Sequence, residues 1–414
     1  MKKNKIALLG GQPIQDSPLK PYNTISNVEI KKANEVLNTG QLSGYIAAPG
    51  ENFLGGKWTK KLEEDFCRKF EIKYSVTVNS ATSALHAALI AAGVGEDDEV
   101  ITSPYTMAAS ATTAVMCGAK PIFVDIEPDY FCLDVEKVKK AISPKTKAIM
   151  AVNIFGQAAN LKKLRKIADE KNIILIEDNA QAPGAKFHNI YTGTIGHMGI
   201  FSLNRHKTIQ TGEGGVIVTN SQCLANRCRL VRNHGEAVIP ETNEFNGHED
   251  IIGYNYRLTE LQSAIAIPQL RRLEKLNKQR QELASFLFEE ISKFNFLRPP
   301  KIRNKCTHVY YLFPMKYDSS VLKVSRDKFI EALNAEGFPV ANYVRPLMEI
   351  PLFKRKFGST KNLNLENFPI TKNLWEDSMI VTSICRPPLT ISDMKNFVKA
   401  IDKVANSANL LRNL

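Results

Sequence analysis

The sequence has little that would place it in a membrane or outside the cell. A membrane-spanning helix needs about 18 consecutive apolar residues, and no stretch of this chain approaches that. The opening Met1-Lys2-Lys3-Asn4-Lys5 is basic. The apolar part behind it, Ile6-Ala7-Leu8-Leu9, stops at Gly10-Gly11, too short for the core of a signal peptide. The cytoplasm is therefore the expected location, with no membrane partner. Cysteine is scarce: Cys67, Cys117, Cys132, Cys223, Cys228, Cys306 and Cys385 are an odd set at irregular spacing, which excludes a disulfide framework. Cys223 and Cys228 have no second pair and no histidines beside them, so no zinc site is expected. Also missing are Gly-x-x-x-x-Gly-Lys-Ser/Thr after a strand, Gly-x-Gly-x-x-Gly and His-Glu-x-x-His, which sets aside a P-loop, a dinucleotide fingerprint and a zinc protease. There is no low-complexity tract and no repeat.

What is present is a globular composition of 414 residues, 43% hydrophobic and 23% charged, long enough for two or three domains. Lysine and arginine outnumber acidic residues, giving a net charge of +13. The lysines are scattered and do not form a basic run interleaved with aromatics. A nucleic-acid partner is therefore not expected, although salt-dependent DNA affinity would be its sign. The positive field suits a small substrate carrying phosphate or a nucleotide.

The hydrophobic pattern divides the chain into an irregular N-terminal segment (residues 1–50), a large α/β domain (51–265) and a smaller C-terminal α+β domain (266–414). A helix is expected over Ser26–Leu37. Lys57–Phe70 is amphipathic, with Trp58, Leu62, Phe66 and Phe70 at helical spacing. From Tyr74 strands alternate with helices. The strands are Tyr74–Val78, Val100–Thr102, Pro121–Ile126, Lys147–Asn153, Ile173–Glu177, Met198–Leu203 and Val216–Thr219. The helices are Ser80–Ala92, Ala108–Cys117, Val135–Ala141 and Leu161–Lys171. Strands apolar on both faces and alternating with helices predict a mostly parallel sheet covered on both sides. Thr259–Phe294 reads as a long helix interrupted at Pro268, its charge-rich second half leaving the large domain. A strand over Val309–Lys316 and helices over Arg326–Glu336 and Ile391–Val404 follow.

Polar groups gather where these strands end, the usual place for ligands in an open α/β sheet. Asn79-Ser80-Ala81-Thr82-Ser83 offers hydroxyls and free amides at a helix start, either an anion site or an ordinary cap. Ile173-Ile174-Leu175-Ile176 runs into Glu177-Asp178, and one carboxylate would suffice for capping. The other needs a cation if buried, and taken alone the pair could equally be a metal ligand or a cap. Phe201-Ser202-Leu203-Asn204-Arg205-His206-Lys207 places a lysine between two apolar strands, and Thr211-Gly212-Glu213-Gly214-Gly215 turns the chain back into the sheet. A phosphate cradle, a carboxylate able to hold a protonated ring nitrogen and a lysine able to form a Schiff base together describe a site for pyridoxal 5'-phosphate.

These segments, with Gly118-Ala119-Lys120-Pro121-Ile122-Phe123-Val124-Asp125-Ile126 and Glu177-Asp178-Asn179-Ala180-Gln181, resemble the DegT/DnrJ/StrS aminotransferases. The likeness runs from about Leu8 to the C-terminus. It implies a fold-type I α/β transferase with a mostly parallel seven-stranded sheet sandwiched by helices. It also implies an amino transfer from glutamate or glutamine to a nucleotide-linked keto-sugar or a keto-cyclitol, in amino-sugar biosynthesis for cell-surface polysaccharide or antibiotic. By this resemblance Lys207 carries the cofactor and moves the proton, Asp178 pairs with the ring nitrogen and Gln181 bonds the ring hydroxyl. Thr82, Ser83 and Ser202 hold the phosphate. The family builds its site across a homodimer, and Asn255 is the candidate asparagine reaching over from the second subunit. Where the family usually stacks an aromatic on the ring, Met107 stands here, with Tyr105 as a substitute. His197 replaces a frequent aspartate. Arg232, His234, Tyr343 and Arg345 are candidates for lining the acceptor pocket. A lysine at position 207, with His206 beside it, argues for transamination over a sugar dehydratase; a cofactor-bound regulatory protein is the other alternative.

Overall fold

The computed structural model describes residues 5–358 and 363–412; the basic opening residues 1–4 lie outside this set. Seven strands form the central sheet: β1 (Tyr74–Val78), β2 (Glu99–Thr102), β3 (Lys120–Phe123), β4 (Thr146–Val152), β5 (Ile174–Asp178), β6 (Met198–Ser202) and β7 (Gly215–Thr219). Their spatial order is β1-β7-β6-β5-β4-β2-β3. The pairs β6–β5, β5–β4, β4–β2 and β2–β3 are parallel, and β7 runs antiparallel to both β1 and β6. This is the mostly parallel α/β sheet the apolar runs predict. β7 reverses because the connection after β6 carries no helix to cross over the sheet, and a direct return pairs antiparallel.

Helices cover the sheet: α1 (Asn27–Leu37), α2 (Lys57–Phe70), α3 (Ala81–Ala91), α4 (Ala109–Met116), α5 (Val135–Ala141), α6 (Leu161–Lys171) and α7 (Gln222–Arg232). Leu62, Phe66 and Phe70 of α2 pack with Phe201, Leu203 and Ile209, with Trp58 at the edge, so the expected stripe is core. α7 lies in a stretch with no helix expected from its pattern. Its charged residues break the apolar period, and one of them, Arg232, is buried against Glu63 at 2.6 Å.

The expected break at Pro268 falls elsewhere. α8 (Glu260–Arg271) carries Pro268 in its interior, and the chain bends at Arg272 (φ −94°, ψ 0°) before α9 (Leu273–Ile291). Arg272 is pulled out of helical register by Thr24, whose carbonyl it reaches at 2.7 Å, and by Glu29. α9 then links two cores, with Leu273 and Leu276 packing in the large one and Leu283, Leu287 and Ile291 in the small one.

The second sheet is antiparallel, in the order β8 (Leu297–Arg298), β9 (Phe313–Tyr317), β11 (Met379–Thr382), β10 (Val340–Ala341). β9 begins later than Val309 because Tyr310 sits at φ +50° and interrupts the extended chain. α10 (Arg326–Ala335) and α12 (Ile391–Asn406) supply this core, between which lies the short α11 (Pro351–Phe357). The N-terminal segment is fastened to it: Ile6 is fully buried there, and the amides of Ala7 and Ile14 donate to Glu336 at 2.8 and 2.9 Å. Among the described residues no helix is long and apolar enough to cross a membrane, and no cluster of histidine, cysteine or carboxylates is arranged to hold a metal ion.

Candidate active site

The sheet register brings the ends of three strands together. Val78 of β1 and Ser202 of β6 both pair with Gly215 of β7. A side chain at Gly215 would collide with the Ser80–Ala81 backbone, its Cβ falling 2.5 Å from the Ser80 carbonyl. That bare backbone lets the turn into α3 close onto the sheet. Ser80 caps α3, its Oγ accepting from the Ser83 amide at 3.0 Å. Capping and anion binding are therefore not alternatives here. Ser80 satisfies one first-turn donor, and the leading amides of the helix remain for a ligand.

A cavity of about 370 Å³ opens at this point. Thr82, Met107, Asp178, Gln181, Ser202 and Lys207 line it together. Ser83 does not. Its hydroxyl turns back to donate to Asn79 Oδ1 at 2.6 Å, because the cap already fixes that turn. Asn255 is exposed outside this cavity, and its carbonyl accepts from Asn79 Nδ2 at 3.4 Å. Tyr105 does not substitute for a stacking aromatic. It is fully buried and turns edge-on to Tyr343 at 5.3 Å, leaving Met107, 60% exposed, on the cavity wall.

The two carboxylates at the end of β5 have separate partners. Glu177 is fully buried and accepts from the amides of Gly193, Ile195 and Gly196 at 2.6–2.8 Å and from Asn153 Nδ2 at 3.1 Å. Burial raises its carboxyl above the usual range, while those donors pull it down. Asp178 is 6% exposed; it accepts from Ser110 Oγ at 2.7 Å and from the Ala180 amide at 3.2 Å. Among the described residues no cation pairs with it. A carboxylate this buried, hydrogen-bonded but not neutralised among the described residues, can accommodate a positive charge.

Lys207 leaves the tight turn after β6, its amide donating to the Asn204 carbonyl at 2.8 Å. Its Nζ stands 4.3 Å from the centre of the Tyr311 ring, a cation–π contact that holds the amine without a counter-ion. Tyr22 Oη donates to the Thr208 carbonyl at 2.7 Å, anchoring the next residue. Gln181 is fixed at both ends of its amide. Oε1 accepts from the Phe155 amide at 2.8 Å and Nε2 donates to Tyr343 Oη at 3.0 Å. Burial pushes the Tyr343 hydroxyl well above the usual phenol range, so it stays protonated.

Several contributors were not legible as motifs. Tyr311 comes from the C-terminal part of the chain, Ser110 from the first turn of α4, and Thr106 presents on the same wall a buried hydroxyl with no partner among the described residues. Thr106 had one signal, its place beside Met107. Of the expected acceptor contacts, Arg232 is fully buried against Glu63 and Thr77, and neither His234 nor Arg345 lines the cavity. His197 closes the entrance to β6, accepting from the Leu175 amide at 2.9 Å and facing Asp169 at 3.3 Å.

An α/β sheet of this topology with a lysine, an uncompensated carboxylate and a helix start on one cavity is that of a fold-type I, pyridoxal phosphate-dependent aminotransferase. The chain belongs to the DegT/DnrJ/EryC1/StrS aminotransferase family, whose profile matches residues 28–402. It is 33% identical to the GDP-perosamine synthase of Vibrio cholerae over 351 residues, 82% of this chain and 91% of that one. It is also 33% identical to the L-glutamine:2-deoxy-scyllo-inosose aminotransferase of Streptomyces kanamyceticus over 365 residues, 85% of this chain and 83% of that one. Among solved structures, the aminotransferase from Psychrobacter cryohalolentis superposes with a TM-score of 0.84 at 29% identity, covering 95% of this chain and all of the other.

Proposed function

We propose that the protein transfers an amino group from glutamate or glutamine to the ketone of a nucleotide-linked sugar or a cyclitol, using pyridoxal 5'-phosphate at Lys207. The observation that carries this is the meeting of Lys207 and the unneutralised Asp178 on one cavity with a helix start. The residues fit the cofactor's three functional groups. Thr82 and Ser202 would hold the phosphate with the α3 amides, Asp178 the ring nitrogen and Gln181 the ring hydroxyl. Met107 would cover a ring face through its polarisable sulfur, and Thr106 has a hydroxyl to spare. Asn255 of a second subunit would reach the phosphate, which makes the working unit a homodimer.

When bound, the cofactor supplies an aldehyde for amine exchange and a ring that withdraws electrons from the substrate carbon. The chain does the rest. Asp178 keeps the ring nitrogen protonated. Lys207 Nζ takes a proton from the donor's α-carbon and returns one to the acceptor carbon. Tyr311 covers the lysine side, and Tyr343 holds the Gln181 amide behind it. The similarity to a GDP-perosamine synthase supports a nucleotide-linked acceptor, and that to an L-glutamine:2-deoxy-scyllo-inosose aminotransferase supports a cyclitol with glutamine as donor. The first covers more of the relative, the second more of this chain. Either use belongs in the cytoplasm, where such substrates are made. The test is reconstitution with pyridoxal phosphate, borohydride fixation, and assay on nucleotide keto-sugars and scyllo-inosose with each donor. A yellow protein with the label fixed on Lys207, and product from one acceptor, is expected. A colourless protein, or Lys207→Ala retaining turnover, overturns the reading.

A further inference from the structure

The turn that carries Lys207 is fastened from outside, by the N-terminal segment. Its base is tied to itself: the Leu203 amide donates to the Gly214 carbonyl at 2.8 Å, Arg205 to Gly212 at 2.9 Å and Thr211 back to Leu203 at 2.9 Å. Its tip, residues 207–210, has less of this. The Lys207 amide reaches the Asn204 carbonyl, and Ile209 is seated in the apolar core below. The remaining ties come from far away in sequence. Tyr22 Oη donates to the Thr208 carbonyl at 2.7 Å, and Thr24 Oγ1 accepts from Gln210 Nε2 at 3.3 Å. Thr208 is fully buried, and the Tyr22 phenol is the partner of its carbonyl.

The segment can act as a strap because both of its ends are fixed. At one end Ile6 is buried in the small core, and Glu336, which receives the Ala7 and Ile14 amides, pairs with Lys403 at 2.8 Å. At the other the Thr24 carbonyl accepts from Gln269 Nε2 at 2.9 Å and Arg272 Nη2 at 2.7 Å, where α8 bends into α9. Between them the half-buried Tyr22 ring has Arg280 Cζ at 5.1 Å and Arg386 Cζ at 5.3 Å from its centre. Cation–π contacts of this kind fix the ring independently of its hydroxyl. A lysine side chain is long and flexible, so the reach of its amine depends on how firmly its main chain is placed. Tyr311 covers Nζ at the far end of the side chain, and Tyr22 secures the backbone at the near end.

We propose that Tyr22 is a positioning residue for Lys207: its hydroxyl, carried on the N-terminal strap, fixes the tip of the lysine turn and thereby the placement of Nζ. This deepens the function proposed above and rests on it for the effect on turnover, whereas the tie itself does not.

The test uses Tyr22→Phe, which removes the hydroxyl and keeps the ring beside both guanidinium groups, and Thr24→Val, which removes the longer tie and keeps the Thr24 carbonyl. In the full chain without cofactor, hydrogen exchange is followed by mass spectrometry. Exchange over residues 204–211 should quicken about fivefold in Tyr22→Phe, the worth of one hydrogen bond, and about twofold in Thr24→Val, with α3 and β5 unchanged. In the reconstituted enzyme, the absorbance of the bound cofactor is followed during reaction with L-glutamate and with L-glutamine. The limiting rate should fall about fivefold in Tyr22→Phe while the half-saturating concentration stays within about twofold, since placement and not substrate contact is lost. The visible circular dichroism of the bound cofactor should change with it. Unaltered exchange overturns the inference. So does faster exchange with an unaltered limiting rate and circular dichroism, which would make Tyr22 structural only, and so does a raised half-saturating concentration at an unchanged rate. A protein that takes no cofactor overturns the proposed function, and exchange over residues 204–211 then decides alone whether Tyr22 fixes the turn.

Discussion

Ser110 Oγ donates to Asp178 Oδ2 at 2.7 Å, joining the first turn of α4 to the end of β5. This bond takes up one face of the buried carboxylate and leaves the other toward the cavity. Removing the hydroxyl frees Asp178 to rotate away from the cavity. Ser110→Ala should weaken pyridoxal phosphate binding by about tenfold, the worth of one hydrogen bond to a charged group. Asp178→Asn should cost more, about a hundredfold in turnover, because the amide no longer holds a ring proton. Cofactor titration by absorbance separates the two, and equal effects on affinity and turnover would contradict this division.

Gly215 is held between Val78 and Ser202, with the Ser80–Ala81 backbone occupying the place a Cβ would take. The obstructing atoms are main chain and cannot rotate away. Gly215→Ala should force the α3 turn outward, lowering stability by about 1–3 kcal/mol and cofactor affinity by more than that loss alone explains. Urea unfolding of the apo protein beside cofactor titration checks this. Unchanged affinity would show that the turn is not the phosphate cradle.

Much of this arrangement is legible in the order of residues. Strands such as Lys147–Asn153 and Ile173–Glu177 announce themselves because burial on both faces demands unbroken apolar runs. Lys207 and Asp178 stand out because each is a charge at the edge of such a run. What the sequence hides is orientation. Ser83 looks like a ligand until the cap at Ser80 turns it inward, and Tyr105 looks like a ring-stacker until it packs on Tyr343. Arg232 reads as a candidate for the acceptor pocket, yet it is fully buried against Glu63, and the same buried charge conceals α7. Tyr311 reaches Lys207 from the bend before β9, a contact of long sequence separation that no local pattern encodes.

Two histidines make stability depend on acidity. Burial lowers His86 to about 4 and His308 to about 3. His86 Nδ1 meets Tyr256 Oη at 2.8 Å, and His308 Nδ1 accepts from the Tyr310 amide at 2.9 Å. Both stay neutral when folded and protonate once unfolded, so the unfolded state binds more protons below its ordinary histidine value of about 6.5. Stability should therefore fall as pH drops from 6.5, by about 1.4 kcal/mol per unit for each histidine, ending near pH 4 for His86 and pH 3 for His308. Denaturant melts at pH 7, 6 and 5 should show His308→Asn with a slope shallower by about one proton. A parallel slope would mean His308 protonates inside the fold.

Glu177 and Asp178 are adjacent in sequence and opposite in consequence. Glu177 collects three backbone amides of the 193–196 loop and the side chain of Asn153. All of these are donors, so replacing one oxygen by an amide nitrogen sets donor against donor inside the fold. Each buried donor left unpaired costs about 1–3 kcal/mol. Glu177→Gln should therefore lose about 3 kcal/mol or more of stability in urea. Its residual folded fraction should still bind cofactor, since Asp178 is untouched. Asp178→Asn should do the reverse, leaving apo stability near that of the parent while turnover falls about a hundredfold, because it removes a charge that nothing among the described residues neutralises. Measured side by side, the pair tests whether the end of β5 divides its work between holding the loop and holding a cation. Comparable loss of stability in both variants would show that Asp178 is structural too.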